Sequence, residues 1–312
     1  MSRPIVRRGF LRATLGVCWT GASLLEQSVL RAAQARAQAA PGLPKLFDIT
    51  RLADGVYSAI AKPRTITNCN AVIFEQSNGL LIVDTHSKPS AAVSLVSQLR
   101  AEVTQKPVRY VVNSHFHWDH SQGAGAYRRI APQADLVSSE PTRRLLIDLG
   151  SKRLEASVDE AKKNLDGYKK ALSEAKTAAD KSYYQNEISQ ANDYIREMAN
   201  YKPELPNITF DDDLILHDKA QELHLSFRGR GHTAGDVVVY SPRTKVVATG
   251  DLLHGYLPFL TDSYPNEWPR TLLKLAELDF AQVAGGHGAV QQGKQRLYQM
   301  GKEQAGDAYP VA

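Results

Sequence analysis

Short apolar runs in the first half of the chain predict a series of β-strands. The runs are rich in Val, Ile and Leu and are separated by polar or turn-forming residues, a pattern typical of strands. The sequence Ser-Asn-Gly at residues 77–79 indicates a hairpin turn between two of them. Pro89 opens a predicted helix that continues to about Glu102, and a second helix is predicted from about Pro141. The predicted strands cover residues 56–62, 70–75, 80–84, 108–113 and 136–139.

The pattern changes between residues 151 and 201, where apolar residues recur at alternating spacings of four and three. This repeat runs from Leu154 to Ala179, breaks near residues 180–182, and resumes at Tyr184. A heptad repeat predicts a helix with one apolar stripe, and the break indicates two antiparallel helices joined by a turn. We therefore predict a helical hairpin insertion at residues 151–201. Its stripe is expected to pack against the body of the protein or a second subunit, forming a homo-oligomer in the latter case.

The second half of the chain returns to short apolar runs. Strands are predicted at residues 214–217, 222–227, 237–240 and 245–248, and helices at 267–278 and 291–304. Two groups of strands and helices in one chain predict a layered α/β sandwich. Functional residues are then expected along the strand ends.

Composition adds little to this picture until the N-terminus is considered, since 43% hydrophobic and 23% charged residues are ordinary for a globular protein. Arg7 and Arg8 precede a mildly apolar stretch and then the small-residue sequence Ala-Gln-Ala at residues 37–39. This arrangement resembles a twin-arginine export signal cleaved after Ala39. The apolar stretch, roughly 13 residues long, is too short to cross a bilayer core, which needs about 20, so no stable membrane anchor is expected.

The predicted division is therefore a signal peptide at residues 1–39 and a main domain at residues 40–312. The twin-arginine export machinery would deliver the main domain to a bacterial periplasm or exterior. Removing the signal lowers Lys+Arg from 38 to 32 and Asp+Glu from 33 to 32, which leaves a formally neutral chain. A neutral chain lacks the basic surface that binds phosphate backbones, which argues against nucleic acid as a partner. Cys18 lies in the signal, so Cys69 is the single cysteine of the mature chain and no internal disulfide is expected.

A cluster of candidate metal ligands follows the predicted strand at residues 108–113. Residues 111–123 read VVNSHFHWDHSQG and contain His115, His117, Asp119 and His120. Imidazole nitrogens and carboxylate oxygens are ligands that Zn²⁺ accepts, and imidazole also suits iron. A loop leaving a strand can direct these side chains at one point. The pattern predicts a metal site, and the alternative of a His-rich surface loop is disfavoured by the strand that precedes it.

Three further candidates end predicted strands in the second half of the chain. His232 lies in Gly-His-Thr at residues 231–233, Asp251 follows Gly250, and His287 lies in Gly-His-Gly at residues 286–288. Taken one at a time, each is equally well interpreted as a hydrogen-bonded core histidine or a turn aspartate.

In this order, from residue 46 to about 295, the motifs resemble those of the metallo-β-lactamase-fold hydrolases. The resemblance implies a four-layer αβ/βα sandwich, with the domain at residues 40–312 catalytic and the hairpin as an insertion. It implies that one metal is bound by His115, His117 and His232. The other is bound by Asp119, His120 and His287, and Asp251 bridges the two. The cofactor expected from the resemblance is a pair of Zn²⁺ ions, with iron or manganese as alternatives, and a hydroxide between them is the expected nucleophile.

Three residues carry expected catalytic roles. Asp119 is expected to take part in catalysis through the metal that it binds. Asp84 matches the family's early aspartate and is expected to orient a metal ligand, with a strand-end cap as the alternative. His254 lies three residues beyond Asp251 and is a candidate acid or substrate contact, with a structural role as the alternative.

Departures from related enzymes narrow the expected reaction. Asp251 stands where the cysteine-using β-lactamases carry a Cys ligand, which makes the site more similar to that of lactonases and thioesterases. Three hypotheses stay open. The first is an exported dinuclear zinc hydrolase that acts on a small electrophile: a lactone, ester, β-lactam or activated aryl halide. The second is an iron-dependent persulfide dioxygenase-like enzyme, and the third is a non-catalytic metal-binding or ligand-binding protein.

Overall fold

Two β-sheets face each other at the centre of the protein. The computed structural model describes residues 43–63, 65–255 and 258–305, and all elements given below belong to one unit, residues 45–312. The predicted export signal, residues 1–39, lies outside the described residues. Within the described part of the chain, each helix is too short or too polar to span a bilayer.

The first sheet has seven strands in sequence order. The first four strands pair antiparallel and form a meander, whereas the fourth to the seventh pair parallel through helical crossovers. The strands are β1 (Phe47–Ala53), β2 (Val56–Ala61), β3 (Ala71–Glu75), β4 (Leu80–Val83), β5 (Val108–Val112), β6 (Asp135–Ser139) and β7 (Ile208–Phe210).

The second sheet has six strands in the order β13-β12-β11-β10-β9-β8. All neighbours in it pair antiparallel except β11 and β12, which are parallel. The strands are β8 (Asp213–Leu216), β9 (Leu223–Phe227), β10 (Val237–Ser241), β11 (Val246–Gly250), β12 (Gln282–Gly285) and β13 (Gln291–Gln292).

Helices cover the outer faces of both sheets. They are α1 (Pro89–Glu102), α2 (Trp118–Ser121), α3 (Ala124–Ile130), α4 (Glu140–Glu174), α5 (Ala178–Met198), α6 (Trp268–Ala276) and α7 (Gln295–Ala305). The last helix begins four residues later than predicted, because residues 291–292 pair with β12.

Strand side chains alternate between two apolar layers, which explains the four-layer arrangement. In β3, Val72 and Phe74 pack between the sheets, whereas Ala71 and Ile73 pack under α1 and α3. A third apolar layer joins the second sheet to α6 and α7, with Trp268 buried at its centre. The predicted αβ/βα sandwich is confirmed.

The helical hairpin is present, but its boundaries differ from the prediction. α4 runs without interruption from Glu140, so the helix predicted near Pro141 and the first arm of the hairpin are one element. The turn occupies residues 175–177 instead of 180–182, because Thr177 caps α5 by accepting a hydrogen bond from the Asp180 amide at 3.0 Å. At its base the stripe packs against the body, where Leu154 and Tyr194 contact Trp118.

Candidate metal centre

Four of the predicted ligands lie between the end of β5 and the single turn of α2. α2 begins directly after His117, which places Asp119 and His120 within that turn. The backbone carbonyl of His120 anchors the loop, because it accepts hydrogen bonds from the Thr85 amide at 3.0 Å, the Thr85 hydroxyl at 2.9 Å and the Asn113 side chain at 3.0 Å. The strand end and the helical turn thereby direct the side chains toward one point.

The other three predicted ligands come from the second sheet. His232 lies between β9 and β10, Asp251 follows β11 directly, and His287 lies just beyond β12. Gly250 ends β11 with a φ of 51°, and a Cβ at this position would collide with the Ser114 side chain. The left-handed backbone and the close approach both require glycine. They bring Asp251 against the loop from the first sheet.

His115, His117 and His232 form a buried group, called here the three-histidine cluster. His117 Nδ1 lies 3.0 Å from His115 Nε2 and 3.0 Å from His232 Nε2. His115 Nδ1 lies 3.0 Å from the Ser114 hydroxyl, which itself donates to Asp84 at 2.9 Å. Since that hydroxyl uses its proton on Asp84, it accepts one from His115 Nδ1. His115 Nε2 therefore directs a lone pair into the cluster.

The proton positions show that this cluster fits a metal ion. His117 Nε2 lies 2.9 Å from Asp262 Oδ2, so Nε2 donates its proton to this carboxylate and Nδ1 carries a lone pair. The lone pairs of His115 and His117 therefore face each other at 3.0 Å and repel. A divalent cation held by His115 Nε2, His117 Nδ1 and His232 Nε2 would remove the repulsion.

Asp119, His120 and His287 form the second group, called here the mixed cluster. His287 Nε2 lies 3.2 Å from Asp119 Oδ2 and 3.4 Å from His120 Nε2. His120 Nδ1 lies 2.8 Å from Asp84 Oδ2 and donates to it, so His120 Nε2 faces the cluster. Two imidazoles and a carboxylate suit Zn²⁺, and the donor types also suit Fe²⁺.

Asp251 lies between the two clusters. Its Oδ2 is 3.6 Å from His232 Nε2 and 3.3 Å from His287 Nε2, and its Oδ1 is 3.4 Å from His120 Nε2. Oδ1 is buried and makes no hydrogen bond within the part of the chain that the structure describes. Because a buried carboxylate oxygen without a partner is costly, this atom is suited to bind a cation. The structure thus brings all seven predicted ligands together.

The two clusters differ in charge before any metal binds. Burial lowers the pKa of each histidine in the three-histidine cluster, in the case of His232 to about 3. Burial acts in the same direction in the mixed cluster, but the neighbouring carboxylates outweigh it. They hold the pKa of His120 well above its usual value and raise the pKa of His287 to about 10. At neutral pH the first cluster is therefore neutral and the second contains imidazolium–carboxylate pairs.

Asp84 and Cys69 lie beneath the mixed cluster. The Asp84 carboxylate accepts hydrogen bonds from the Ser114 amide at 2.8 Å, the Ser114 hydroxyl at 2.9 Å and His120 Nδ1 at 2.8 Å. Asp84 thus lies within hydrogen-bond distance of His120 Nδ1, which the predicted orienting role requires. Cys69 Sγ, Asp84 and His120 have atoms within 4.8 Å of one another. Burial raises the pKa of Cys69 to about 12, so it is a neutral thiol.

The sequence that contains both clusters matches a known protein family. A sequence model described as the metallo-beta-lactamase superfamily matches residues 64–287, which include both clusters and Asp251. The chain belongs to this superfamily. Its members are mostly metal-dependent hydrolases.

A solved structure agrees with this assignment. The chain is similar to a metallo-beta-lactamase from Pontibacter korlensis with a TM-score of 0.60 and 18% sequence identity, over 84% of this chain and 100% of that one. At this identity the likeness shows the shared fold. The candidate site lies where loops leave the strand ends of the two sheets of this fold.

A cavity opens onto the candidate metal ligands. Its volume is about 430 Å³, and both clusters and Asp251 contribute to its wall. His254 also lines it, with its ring centroid 5.5 Å from that of His287. Burial lowers the pKa of His254 to about 4, so its imidazole is neutral at neutral pH. The structure places His254 in the pocket, and its chemical role stays a prediction.

Several cavity residues were not identified from the sequence. α4 contributes a charged and polar wall that includes Arg153, Ser157 and Glu160, and Phe259 adds an apolar edge after β11. The heptad repeat marked only the apolar stripe of the hairpin, and the segment between β11 and α6 has no motif. The signal for the α4 wall lay in the polar residues flanking Leu154, which the repeat leaves on the other faces of the helix.

Proposed function

We propose that the protein is a dinuclear zinc hydrolase. The observation that carries this proposal is the convergence of seven side chains as two clusters that share Asp251. His115, His117 and His232 would hold one ion, and Asp119, His120 and His287 the other. A pair of divalent cations supplies a water of lowered pKa and polarises the oxygen of the bond under attack.

The residues around the clusters support hydrolysis by holding proton positions and excluding solvent. Asp84 and Asp262 accept the distal protons of His120 and His117, which keeps one lone pair of each imidazole directed inward. His254 is neutral and faces the cavity, so it can accept or deliver a proton at the leaving group. Asp119 Oδ2 lies 3.2 Å from His287 Nε2, so both atoms can reach one ion.

The proposed substrate is a small electrophile: a lactone, ester, β-lactam or activated aryl halide. A cavity of about 430 Å³ has room for such a molecule. Trp118 and Phe259 offer apolar surface beside the ligands, while Arg153 and Glu160 offer charge. An apolar group next to a hydrolysable carbonyl would match this distribution.

A substrate screen with matched variants tests the proposal. The zinc-loaded protein should hydrolyse at least one class among lactones, esters, β-lactams and aryl halides, with about two ions bound per chain. His115→Ala should lose metal and activity together. His224→Ala is the control, because His224 pairs with Glu222 on the surface at 2.6 Å, away from both clusters.

Three outcomes contradict the proposal. Unchanged metal content and turnover in His115→Ala would exclude the clusters as the active centre. Oxygen consumption by the iron-loaded protein with a persulfide, without hydrolysis, would instead support the dioxygenase hypothesis. Metal binding without turnover of any substrate would support a binding role.

We also propose that the protein is exported through its twin-arginine signal. Replacement of Arg7 and Arg8 by lysine should retain the full-length chain in the cytoplasm, whereas the unaltered chain should reach the periplasm or medium in a shortened form. Fractionation followed by mass measurement of the product checks this. Normal export of the double variant would exclude the twin-arginine route.

A further inference from the structure

His117 differs from the other ligands in how its second nitrogen is held. Its Nε2 lies 2.9 Å from Asp262 Oδ2, and Asp262 belongs to the segment between β11 and α6, outside every recognised motif. The other oxygen of Asp262, Oδ1, accepts a hydrogen bond from Arg153 at 2.5 Å. Arg153 lies on α4, the first arm of the hairpin. One carboxylate therefore connects the hairpin to a metal ligand.

We propose that Asp262 is a positioning residue for His117, and that Arg153 of the hairpin holds Asp262 in place for this task. The proposal rests on the proposed metal binding and deepens it. It gives the hairpin a part in the metal centre, beyond the packing of its apolar stripe. The connection runs from Arg153 through Asp262 to His117.

The required tautomer of His117 explains why a carboxylate is needed. His117 directs Nδ1 at both other members of the three-histidine cluster, so Nδ1 must be free of a proton to bind a cation. A neutral imidazole carries its proton on one of the two nitrogens. Acceptance of a hydrogen bond by Asp262 at Nε2 selects the tautomer whose Nδ1 is free and also fixes the ring orientation.

Arg153 explains why Asp262 can serve in this way. Asp262 has a side chain only 18% exposed, and the guanidinium of Arg153 compensates its negative charge on the oxygen that does not contact His117. Arg153 is in turn held against the ring of Phe116, with Cζ 5.8 Å from the ring centroid. A planar guanidinium that donates to a carboxylate restricts the rotation of that carboxylate.

His117 and His120 are therefore oriented by carboxylates from different parts of the fold. His120 is oriented by Asp84, at the end of β4 in the first sheet. His117 is oriented by Asp262, in a segment that the hairpin holds. Loss of Asp262 should weaken metal binding at the three-histidine cluster and leave the mixed cluster unchanged.

The test compares Asp262→Ala, Asp262→Asn and Arg153→Met in the full chain. Chelator competition with zinc should show two binding steps in the unaltered protein. Asp262→Ala should weaken one step by about 10-fold to 100-fold, the usual effect of losing such a support. Asp262→Asn should recover only part of that loss, because its single amide oxygen can accept from His117 Nε2 only when its NH₂ group faces the Arg153 guanidinium, which is also a donor. Arg153→Met should weaken the same step, by less than Asp262→Ala.

Two spectroscopic readouts identify the affected cluster without relying on activity. In the cobalt(II)-substituted protein, Asp262→Ala should change the absorption bands of the ion that is released first. The absorption bands of the other ion should stay unchanged. In the metal-free protein, ¹⁵N NMR of the His117 ring should show Nε2 protonated in the unaltered chain and a mixture of tautomers in Asp262→Ala. Glu204→Ala is the matched control, since it removes a part-buried pair with Arg128, at 2.8 Å, that joins α3 to the segment after α5.

Defined results overturn the proposal. An unchanged His117 tautomer together with unchanged zinc affinity in Asp262→Ala would exclude a positioning role. An equal loss at both steps, or the same loss in Glu204→Ala, would indicate general destabilisation. If the unaltered protein binds no metal, the proposed function fails, while the NMR measurement still decides whether Asp262 sets the tautomer.

Discussion

At the level of single residues, the two clusters present different protonation states to an incoming metal. The three-histidine cluster is neutral at neutral pH, because burial lowers the pKa of His115, His117 and His232. The mixed cluster is protonated, because carboxylates hold the pKa of His120 and His287 above the usual value. A metal binds the first cluster without displacing protons, whereas it must displace them from the second.

Metal affinity should therefore depend on pH at one cluster only. The pKa of His287 is raised from 6.5 to about 10, so its charged form stabilises the metal-free fold below about pH 6.5, and that stabilisation is lost as pH rises through about 10. Between about pH 6 and about pH 9, affinity at the mixed cluster should rise about tenfold per pH unit for each displaced proton. Calorimetry in buffers of different ionisation enthalpy counts the protons. Equal proton release in both steps would contradict the prediction.

Asp84→Asn should weaken the mixed cluster. Asparagine tolerates the left-handed backbone at this position, where φ is 71°. Its amide NH₂ would face hydrogen-bond donors on Ser114 and His120, which costs about 1–3 kcal/mol of folding stability. Zinc affinity at the mixed cluster should fall by about 10-fold to 100-fold. Urea unfolding measures the loss of folding stability and chelator competition measures the loss of zinc affinity, with the surface variant Asp135→Asn as control. An Asp84→Asn protein indistinguishable from that control would refute the orienting role of Asp84.

The sequence identified the members of the two clusters much better than the residues that support them. All seven ligands follow strand ends in short recognisable motifs, so their convergence could be expected before the fold was known. Asp84 was also selected from the sequence, because it matches the family's early aspartate at the end of a strand. Asp262 could not be predicted, since it has no motif and its contact with His117 joins residues 145 positions apart. Such a contact depends on how a loop and the hairpin meet in space.

At the level of elements, the hairpin is part of the wall of the site. α4 lines the cavity, and α5 attaches the hairpin to the body through polar contacts. The Tyr194 hydroxyl donates to Gln122 Oε1 at 2.8 Å and lies 2.8 Å from the Ser157 hydroxyl. Glu197 accepts hydrogen bonds from Ser90 at the start of α1. These contacts hold α4 over the metal ligands.

Tyr194→Phe should loosen this attachment. The substitution leaves Gln122 Oε1, in a buried contact, without its donor, so we expect a loss of about 1 kcal/mol in the free energy of unfolding. Tyr184→Phe on the same helix is the matched control, because Tyr184 is half-buried and contacts the Tyr183 ring; its effect should stay below about 0.5 kcal/mol. Urea denaturation followed by circular dichroism measures both. Equal effects would contradict the proposed anchoring.

Most elements were predicted within one or two residues, and the exceptions have physical reasons. The first strand, β1, was missed because it forms a sheet edge and exposes Asp48, Thr50 and Arg51, so it lacks an apolar run. A second missed strand, β7, is only three residues long. The hairpin turn was placed five residues late, because Ala175 and Ala179 continue the heptad spacing on either side of it.

At the level of the whole molecule, the candidate metal ligands belong to two different sheets. Four ligands come from the first sheet, and His232, Asp251 and His287 come from the second. The sheets are otherwise joined through an apolar layer that includes Phe74, Leu81 and Val239. Bound cations would therefore link the two halves of the fold directly. Binding to the folded state alone stabilises that state by mass action.

Metal removal should lower the stability of the whole protein in a single transition. With free zinc at roughly 100 times its Kd, the free energy of unfolding should exceed that of the chelated protein by about 2.7 kcal/mol per site. Thermal unfolding with and without chelator checks this, and His115→Ala should show a smaller difference. A chelated protein as stable as the zinc-loaded one would show that the ligands do not link the sheets.

The buried thiol of Cys69 has a practical consequence. Once the predicted signal is removed, it is the single cysteine of the chain, and it lies under His120, where a maleimide reagent has no access. Each labelling event then requires the floor of the candidate metal centre to open briefly. The labelling rate would count those openings in the native protein, with or without zinc, and no engineered reporter would be needed.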